Sequence, residues 1–264
     1  MLVNNTPVET HLIEGVSVLV KREDLCAPFP GPSFSKIRGV YAHILNRPEK
    51  VIGALDTSHS KAGWAVAYVC RHLGKQAIDF WPRYKDQVKL KDQQNQAQVL
   101  GANLVELQAG RSAILYHRAK KLMPEGSYLM PNALKLRESV TENAEEAART
   151  DMPDSGTLVI SISSGTVAAG VISGILRARR YYHFVLHMGY SRSQSACAEY
   201  VRAMAGAPQL PLTLVDEGYG YADAARGVTA PFPCNEFYDL KAWKWLTANI
   251  HDLPQPVVFW NIGD

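Results

Sequence analysis

The chain has 264 residues, 47% of them apolar and 20% charged, and 28 lysines and arginines against 25 aspartates and glutamates leave a net charge of +3. That length allows one large domain or two modest ones with a proper core, and the composition excludes a disordered or fibrous chain. The charge is too weak to argue for nucleic-acid binding, no apolar run approaches the ~18 residues of a membrane helix, and the start shows no secretory pattern.

In chain order, Val16–Val20 reads as the first strong strand, ending in the charged stretch Lys21-Arg22-Glu23-Asp24. A proline- and glycine-rich loop follows. Ile37, Val40, Tyr41, Ile44 and Leu45 then form the stripe of an amphipathic helix, with Lys36 at the junction between loop and helix. From residue 50 the pattern alternates. Strands are expected over Val51–Leu55, Ala77–Trp81, Leu104–Leu107 and Tyr128–Met130, and helices over Lys61–Leu73, Asp86–Leu100 and Arg111–Leu122. Gly74 stands where a left-handed helix cap is wanted. Glu138–Arg149 reads as an acidic-then-basic surface helix. A second series runs through the strand Thr157–Ile162, the helix Val167–Arg180, the strand Phe184–Met188 and the helix Gln194–Met204. A strand at Leu212–Val215, a helix near Leu240–Ile250 and a strand at Val257–Trp260 complete it. Strands alternating with helices predict βαβ units and parallel sheets, an α/β fold. Cys26, Cys70, Cys197 and Cys234 show no CxxC spacing and suit reduced thiols in a cytoplasm, with no metal site expected.

Four segments have the composition of a site. Ser163-Ser164-Gly165-Thr166 links a buried strand to a helix, and such a turn points backbone N–H groups at one spot, as a phosphate site requires. A tight turn that merely permits close packing is an equally open reading. Lys36 is either a solvated charge or, beside Phe34 and Ile37, a lysine able to act as a Schiff-base nucleophile. Asp56-Thr57-Ser58-His59-Ser60-Lys61 follows a parallel strand at the end where open sheets place ligands, although His59 is equally readable as a surface residue. Val215–Ala222 is a glycine-bracketed aromatic turn containing Tyr219.

In this order the segments resemble a known family. Val20-Lys-Arg-Glu-Asp-Leu25 followed by Gly31-Pro-Ser-Phe-Ser-Lys-Ile-Arg-Gly39 is similar to the KRxDL…GGNKxRKL signature of 1-aminocyclopropane-1-carboxylate deaminase and D-cysteine desulfhydrase. Thr57-Ser-His59 resembles their SNH turn, Ser163–Thr166 their GSGGT phosphate loop, and Gly218-Tyr-Gly220 their active-site tyrosine turn. Asn235–Ala242 resembles their DPVYTGKA, and Phe259–Gly263 their terminal FxHTGG. The resemblance implies the tryptophan synthase β-like fold (fold type II): two parallel-sheet α/β domains, residues 1–45 with 151–264 and residues 46–150, and an active site in the interdomain cleft.

It further implies pyridoxal 5'-phosphate as cofactor and lyase chemistry at the Cα of an amino-acid-like substrate, whether deamination, desulfhydration or decarboxylation. Lys36 would carry the Schiff base and act as acid and base. Ser163, Ser164, Gly165 and Thr166 would hold the phosphate, Ser58 and His59 would sit beside the ring and the substrate carboxylate, and Tyr219 would lie near the substrate. A homodimer is common among such enzymes. The departures are Ser58 where the pattern has asparagine, and Ile262 where it has a hydroxyl residue near the ring nitrogen, which makes a weaker electron sink. The chain is also short for this family, so a more open site is expected. That openness supports a second reading, in which the substrate is an amino-acid adduct on a nucleobase, within a modified nucleoside or DNA, as in phage thymidine hypermodification. A third is a binding protein that takes the cofactor or an amino acid without catalysis.

Overall fold

The computed structural model describes residues 3–57, 59–84 and 89–264. They divide into two compact units. One comprises mainly Ala27–Pro32 and Gly39–Glu138. The other comprises Asn4–Cys26, Ser33–Arg38 and Ser139–Asp264.

The larger unit is built on β1 (Val8–Ile13), β2 (Val16–Arg22), β7 (Ser155–Ile162), β8 (Tyr181–Met188), β9 (Thr213–Val215) and β10 (Val257–Asn261), in the order β1-β2-β10-β7-β8-β9. Every pairing is parallel except β1 with β2. Side chains alternate across it with the period of two that a strand dictates. Leu158, Ile160, Val258 and Trp260 pack with α6 (Thr166–Arg177) and α7 (Gln194–Ala205). Val159, Val257 and Phe259 pack on the opposite face against Trp243 and Leu246 of α8 (Asp239–Ala248). With both faces covered, these strands read as continuous apolar runs.

The smaller unit carries the parallel sheet β5-β4-β3-β6, made of β3 (Val51–Leu55), β4 (Gln76–Arg83), β5 (Asn103–Gln108) and β6 (Tyr128–Leu129). Its helices are α1 (Ile37–Leu45), which begins in the other unit, α2 (Ala62–His72), α3 (Asp92–Val99) and α4 (Ser112–Leu122). Leu55, Ile78, Phe80 and Leu107 meet Leu115 and Ala119 of α4 in its core. Gly74 takes the expected left-handed backbone, φ +64°. The helix expected from Asp86 begins, among the described residues, at Asp92; Asp86 itself lies outside them.

Two expectations are corrected. A strand, β1, precedes Val16; polar Glu9 and His11 are half-buried while apolar Leu12 is exposed, so its pattern does not stand out in the sequence. The second concerns α5 (Arg137–Arg149), which shows solvent only the stripe Arg137, Thr141, Glu145 and Arg149, while Val140, Asn143, Ala144, Glu146 and Ala147 are buried. A Cβ on Gly170 would lie 2.6 Å from the Val140 carbonyl oxygen, and one on Gly174 2.2 Å from that of Ala144, so α6 accepts α5 only because it is bare there.

Glu146 is buried because it is paired. Lys21 Nζ donates to its Oε1 at 2.6 Å and to the Thr6 carbonyl at 2.6 Å, and Arg38 Nη1 lies 3.5 Å from its Oε2. Arg38 also makes a two-pronged contact with Glu23, at 2.8 and 2.9 Å. Burial pushes the Glu146 carboxyl up, but Arg38 and Lys21 together outweigh it and hold the group at about 2. Removing one partner of such a cluster strands the others. Glu146→Ala is therefore expected to cost about 3–5 kcal/mol in urea unfolding at neutral pH. Because the folded pKa is depressed, the wild-type contribution is present above the ordinary glutamate value and is lost as pH falls towards about 2, so the gap between variant and wild type should narrow in acid.

Candidate functional site in the larger unit

The parallel strands of the larger sheet end in register, with Asn261 beside Arg22, Ile162 beside Met188 and His187 beside Val215. The loops beyond them therefore emerge along one edge, where open α/β sheets bind ligands. Three sequence candidates lie on that edge.

Lys36 stands just before α1, half-buried, with Nζ 6.0 Å from the centroid of the Phe34 ring. The residues ahead of it are held by the segment after β10. Ser35 N donates to the Ile262 carbonyl at 3.0 Å, Asp264 N donates to the Ser33 carbonyl at 3.1 Å, and Phe34 bridges Gly263. A Cβ on Gly263 would lie 2.3 Å from the Ser33 carbonyl oxygen, so the approach requires glycine. The β10 segment is itself fixed. Ile262 N donates to Asp239 Oδ1 at 3.1 Å, and Asn261 Nδ2 donates to Asp24 Oδ1 at 2.9 Å.

Ser163-Ser164-Gly165 joins β7 to α6. Gly165 has φ +83°, and a Cβ there would meet Val201 Cγ2 at 2.9 Å and Tyr200 Cδ1 at 3.1 Å. Ser164 Oγ donates to Thr166 Oγ1 at 3.2 Å, and Thr166 Oγ1 shares a 3.0 Å hydrogen bond with the Tyr200 hydroxyl. The Tyr238 hydroxyl bonds Ser163 and Tyr221, and burial pushes its pKa far up, so it stays a neutral phenol. A bare, left-handed turn rich in hydroxyls at the start of a twelve-residue helix fits the phosphate of pyridoxal phosphate.

Tyr219 lies on the loop after β9. Its carbonyl accepts from Ser191 N at 2.8 Å, and Lys241 Nζ stands 4.5 Å from its ring centroid. Lys241, fully buried on α8, donates to the Gly189 carbonyl at 2.6 Å, and burial lowers its pKa. Asp216 Oδ1 accepts from Ser191 Oγ at 2.5 Å and from Gly218 N at 3.0 Å.

His59 belongs to the smaller unit, on the turn after β3; Ser58 lies outside the described residues. Asp56 closes that turn, its Oδ1 accepting from Gly63 N at 2.9 Å. Asp79 is packed against Gly63, where a Cβ would lie 2.2 Å from its Cγ. Burial raises both carboxyls, and Asp56 adds repulsion at Asp79. Sequence reading missed Asp56 as a clamp and missed Asp79 and Tyr200 entirely. Tyr238 and Lys241 fall within the Asn235–Ala242 segment noted above, where they were given no role of their own. Among the described residues no group of three or more His, Cys, Asp or Glu could hold a metal ion.

Comparison with known proteins agrees with this geometry. The chain belongs to the pyridoxal-phosphate dependent enzyme family, whose model matches residues 1–230. A "Glycyl-dTMP PLP-dependent decarboxylase" of Pseudomonas phage M6 is 65% identical over 283 aligned residues, covering 100% of both chains. Among solved structures, an ACC deaminase homologue superimposes with a TM-score of 0.80 at 18% identity, covering 100% of this chain and 90% of that one. A fungal L-serine ammonia-lyase from Rhizomucor miehei does so at 0.68 and 16%, covering 99% and 94%. A pyridoxal 5'-phosphate-dependent aspartate racemase gives 0.67 and 16%, covering 99% and 90%. The fold is thus fold type II, and the chain is a pyridoxal-phosphate-dependent enzyme of lyase type, not a binding protein. Among the described residues no helix is long and apolar enough to cross a membrane.

Two outcomes follow. Gly165→Ala should fold, since one turn is affected, but retain pyridoxal phosphate at least roughly tenfold more weakly, read by cofactor content after dialysis. Asp79→Asn should raise stability by about 1–3 kcal/mol at pH 8. The raised carboxyls favour folding below the ordinary aspartate value of 3.8 and lose that contribution as pH rises towards neutrality, so the variant's unfolding profile should be flatter over that range.

Proposed function

We propose that the enzyme decarboxylates a glycyl group carried on thymidylate. The observation that carries the reading is the 65% identity, over the full length of both chains, to a relative whose printed activity is this one. Lys36 is assigned as the lysine that bonds the cofactor aldehyde, Ser163, Ser164, Gly165 and Thr166 as the phosphate cradle, and Ser58 as a further cofactor contact. His59 and Tyr219 are assigned to the substrate.

Pyridoxal phosphate, when bound, supplies an electron sink for the pair left at Cα as CO2 departs. The chain supplies the rest. Lys36 Nζ, tethered beside Phe34, would hold in its ammonium form the proton delivered to Cα in place of the carboxylate. The clamp from Ile262, Gly263 and Asp264 onto residues 33–35 limits where that amine can reach, which is a positioning contribution. Tyr238, kept neutral by burial, and Tyr200 orient the cradle hydroxyls through their own hydroxyls. Cys26, Cys70, Cys197 and Cys234 are unpaired, which supports a cytoplasmic setting, and the proposal includes a homodimer, checked by sedimentation.

Wild-type enzyme given the glycyl nucleotide should release CO2 and a product lighter by that mass. Lys36→Ala should lower the rate by about 10²–10⁴-fold, and borohydride should fix the cofactor to the Lys36 peptide only in the wild type. Turnover of free small amino acids with none of the glycyl nucleotide would overturn the reading.

A further inference from the structure

Arg192 lies on the loop Gly189–Ser193 that leaves β8 at the same sheet edge as the cofactor cradle and Tyr219. Its guanidinium stacks on its neighbour Tyr190, with Cζ 5.3 Å from the ring centroid. Its Nε and Nη2 are buried and have no hydrogen-bond partner among the described residues. Arg192 as a whole is half-buried, and shielding two of its N–H groups without an acceptor is costly, so a fold that keeps them there has a use for them. The carboxylate nearest in sequence on that edge, Asp216, is already taken up by Ser191 and Gly218, and Glu217 by His187 at 2.9 Å.

The position is continuous with the cofactor cradle. Tyr190 packs edge-on against Tyr221, centroids 5.2 Å apart at 88°, Tyr221 bonds the Tyr238 hydroxyl, and Tyr238 bonds Ser163. Stacking on Tyr190 holds the guanidinium plane, and Ser191, beside it, is tied to the Tyr219 loop through the Tyr219 carbonyl and Asp216. A planar, pre-oriented fork with two adjacent N–H groups uncommitted matches two oxygens of one phosphate, a geometry that lysine does not reproduce.

We propose that Arg192 binds the phosphate of the nucleotide that carries the glycyl group, through Nε and Nη2. The inference rests on the nucleotide reading above and adds to it the residue that separates a nucleotide from a free amino acid. The phosphate is either the 5'-monoester of a free nucleotide or a diester within a DNA strand, and the chemistry recognised is the same.

The test titrates the full-length, cofactor-loaded enzyme with dTMP and with thymidine by calorimetry. Wild type should bind dTMP more tightly than thymidine. Arg192→Gln should weaken dTMP by roughly ten- to a hundredfold and leave the thymidine affinity within about twofold, collapsing the preference. Arg192→Lys, which keeps the charge but not the fork, should recover part of it. Equal affinity of wild type for the two ligands, an unchanged preference in Arg192→Gln, or an equal loss on both would overturn the proposal. In the parallel assay, a rise in KM at nearly constant kcat confined to the mononucleotide identifies a monoester. The same rise on a glycylated oligonucleotide identifies a diester. Absence of CO2 release by wild type from either substrate would overturn the decarboxylase reading, whereas the dTMP titration decides the role of Arg192 independently.

Discussion

Burying four charges within one unit is possible only if each finds its counterpart, and the cluster of Lys21, Glu23, Arg38 and Glu146 meets that condition across three separate segments of chain. Lys21 comes from β2, Glu23 from the turn after it, Arg38 from the first turn of α1 and Glu146 from α5. Thr6 adds a further tie, its hydroxyl donating to Glu23 Oε1 at 2.5 Å. None of these groups tolerates displacement, because a shift of one leaves the others charged in a low-dielectric interior. Arg38 is two residues from Lys36. The same cluster that fixes α5 against the sheet therefore fixes the backbone from which Lys36 extends, and residues 262–264 hold the stretch ahead of it.

The edge beyond the parallel strands works by a related principle. Its loops are held by single polar side chains that bridge one loop to the next. Lys241 joins the Gly189 carbonyl to the Tyr219 ring, Tyr238 joins Ser163 to Tyr221, and Asp239 holds Ile262 N. All three bridging residues come from α8 or the residue before it, so one helix sets the spacing of four loops. Such pinning keeps donors in place before a ligand arrives, which is the condition under which positioned dipoles are worth most.

How much of this was legible in the sequence varies by physical cause. The strands β3 and β7 and the helix α1 were readable because an apolar run or a 3.6-residue stripe reports burial directly. The turn Ser163–Thr166 and Lys36 were readable as an ordered set of motifs, and the family they implied is the family found. The burial of α5 was not, because Glu146 and Asn143 look like solvent-facing residues until Lys21 and Arg38, more than a hundred positions away, are known to face them. The bareness of Gly170 and Gly174 gains a meaning only beside the neighbouring helix, which their smallness admits. Asp56 and Asp79 were hidden for the same reason, since adjacent strands bring them together and no local pattern does.

The likeness of this fold to a deaminase homologue, an ammonia-lyase and a racemase means that the sheet and its cradle do not select the bond that is broken. Selection has to come from residues that differ at the edge and from what they hold in place. In this chain Ile262 donates its backbone amide to Asp239 and brings an apolar side chain to a position where the family pattern has a hydroxyl residue.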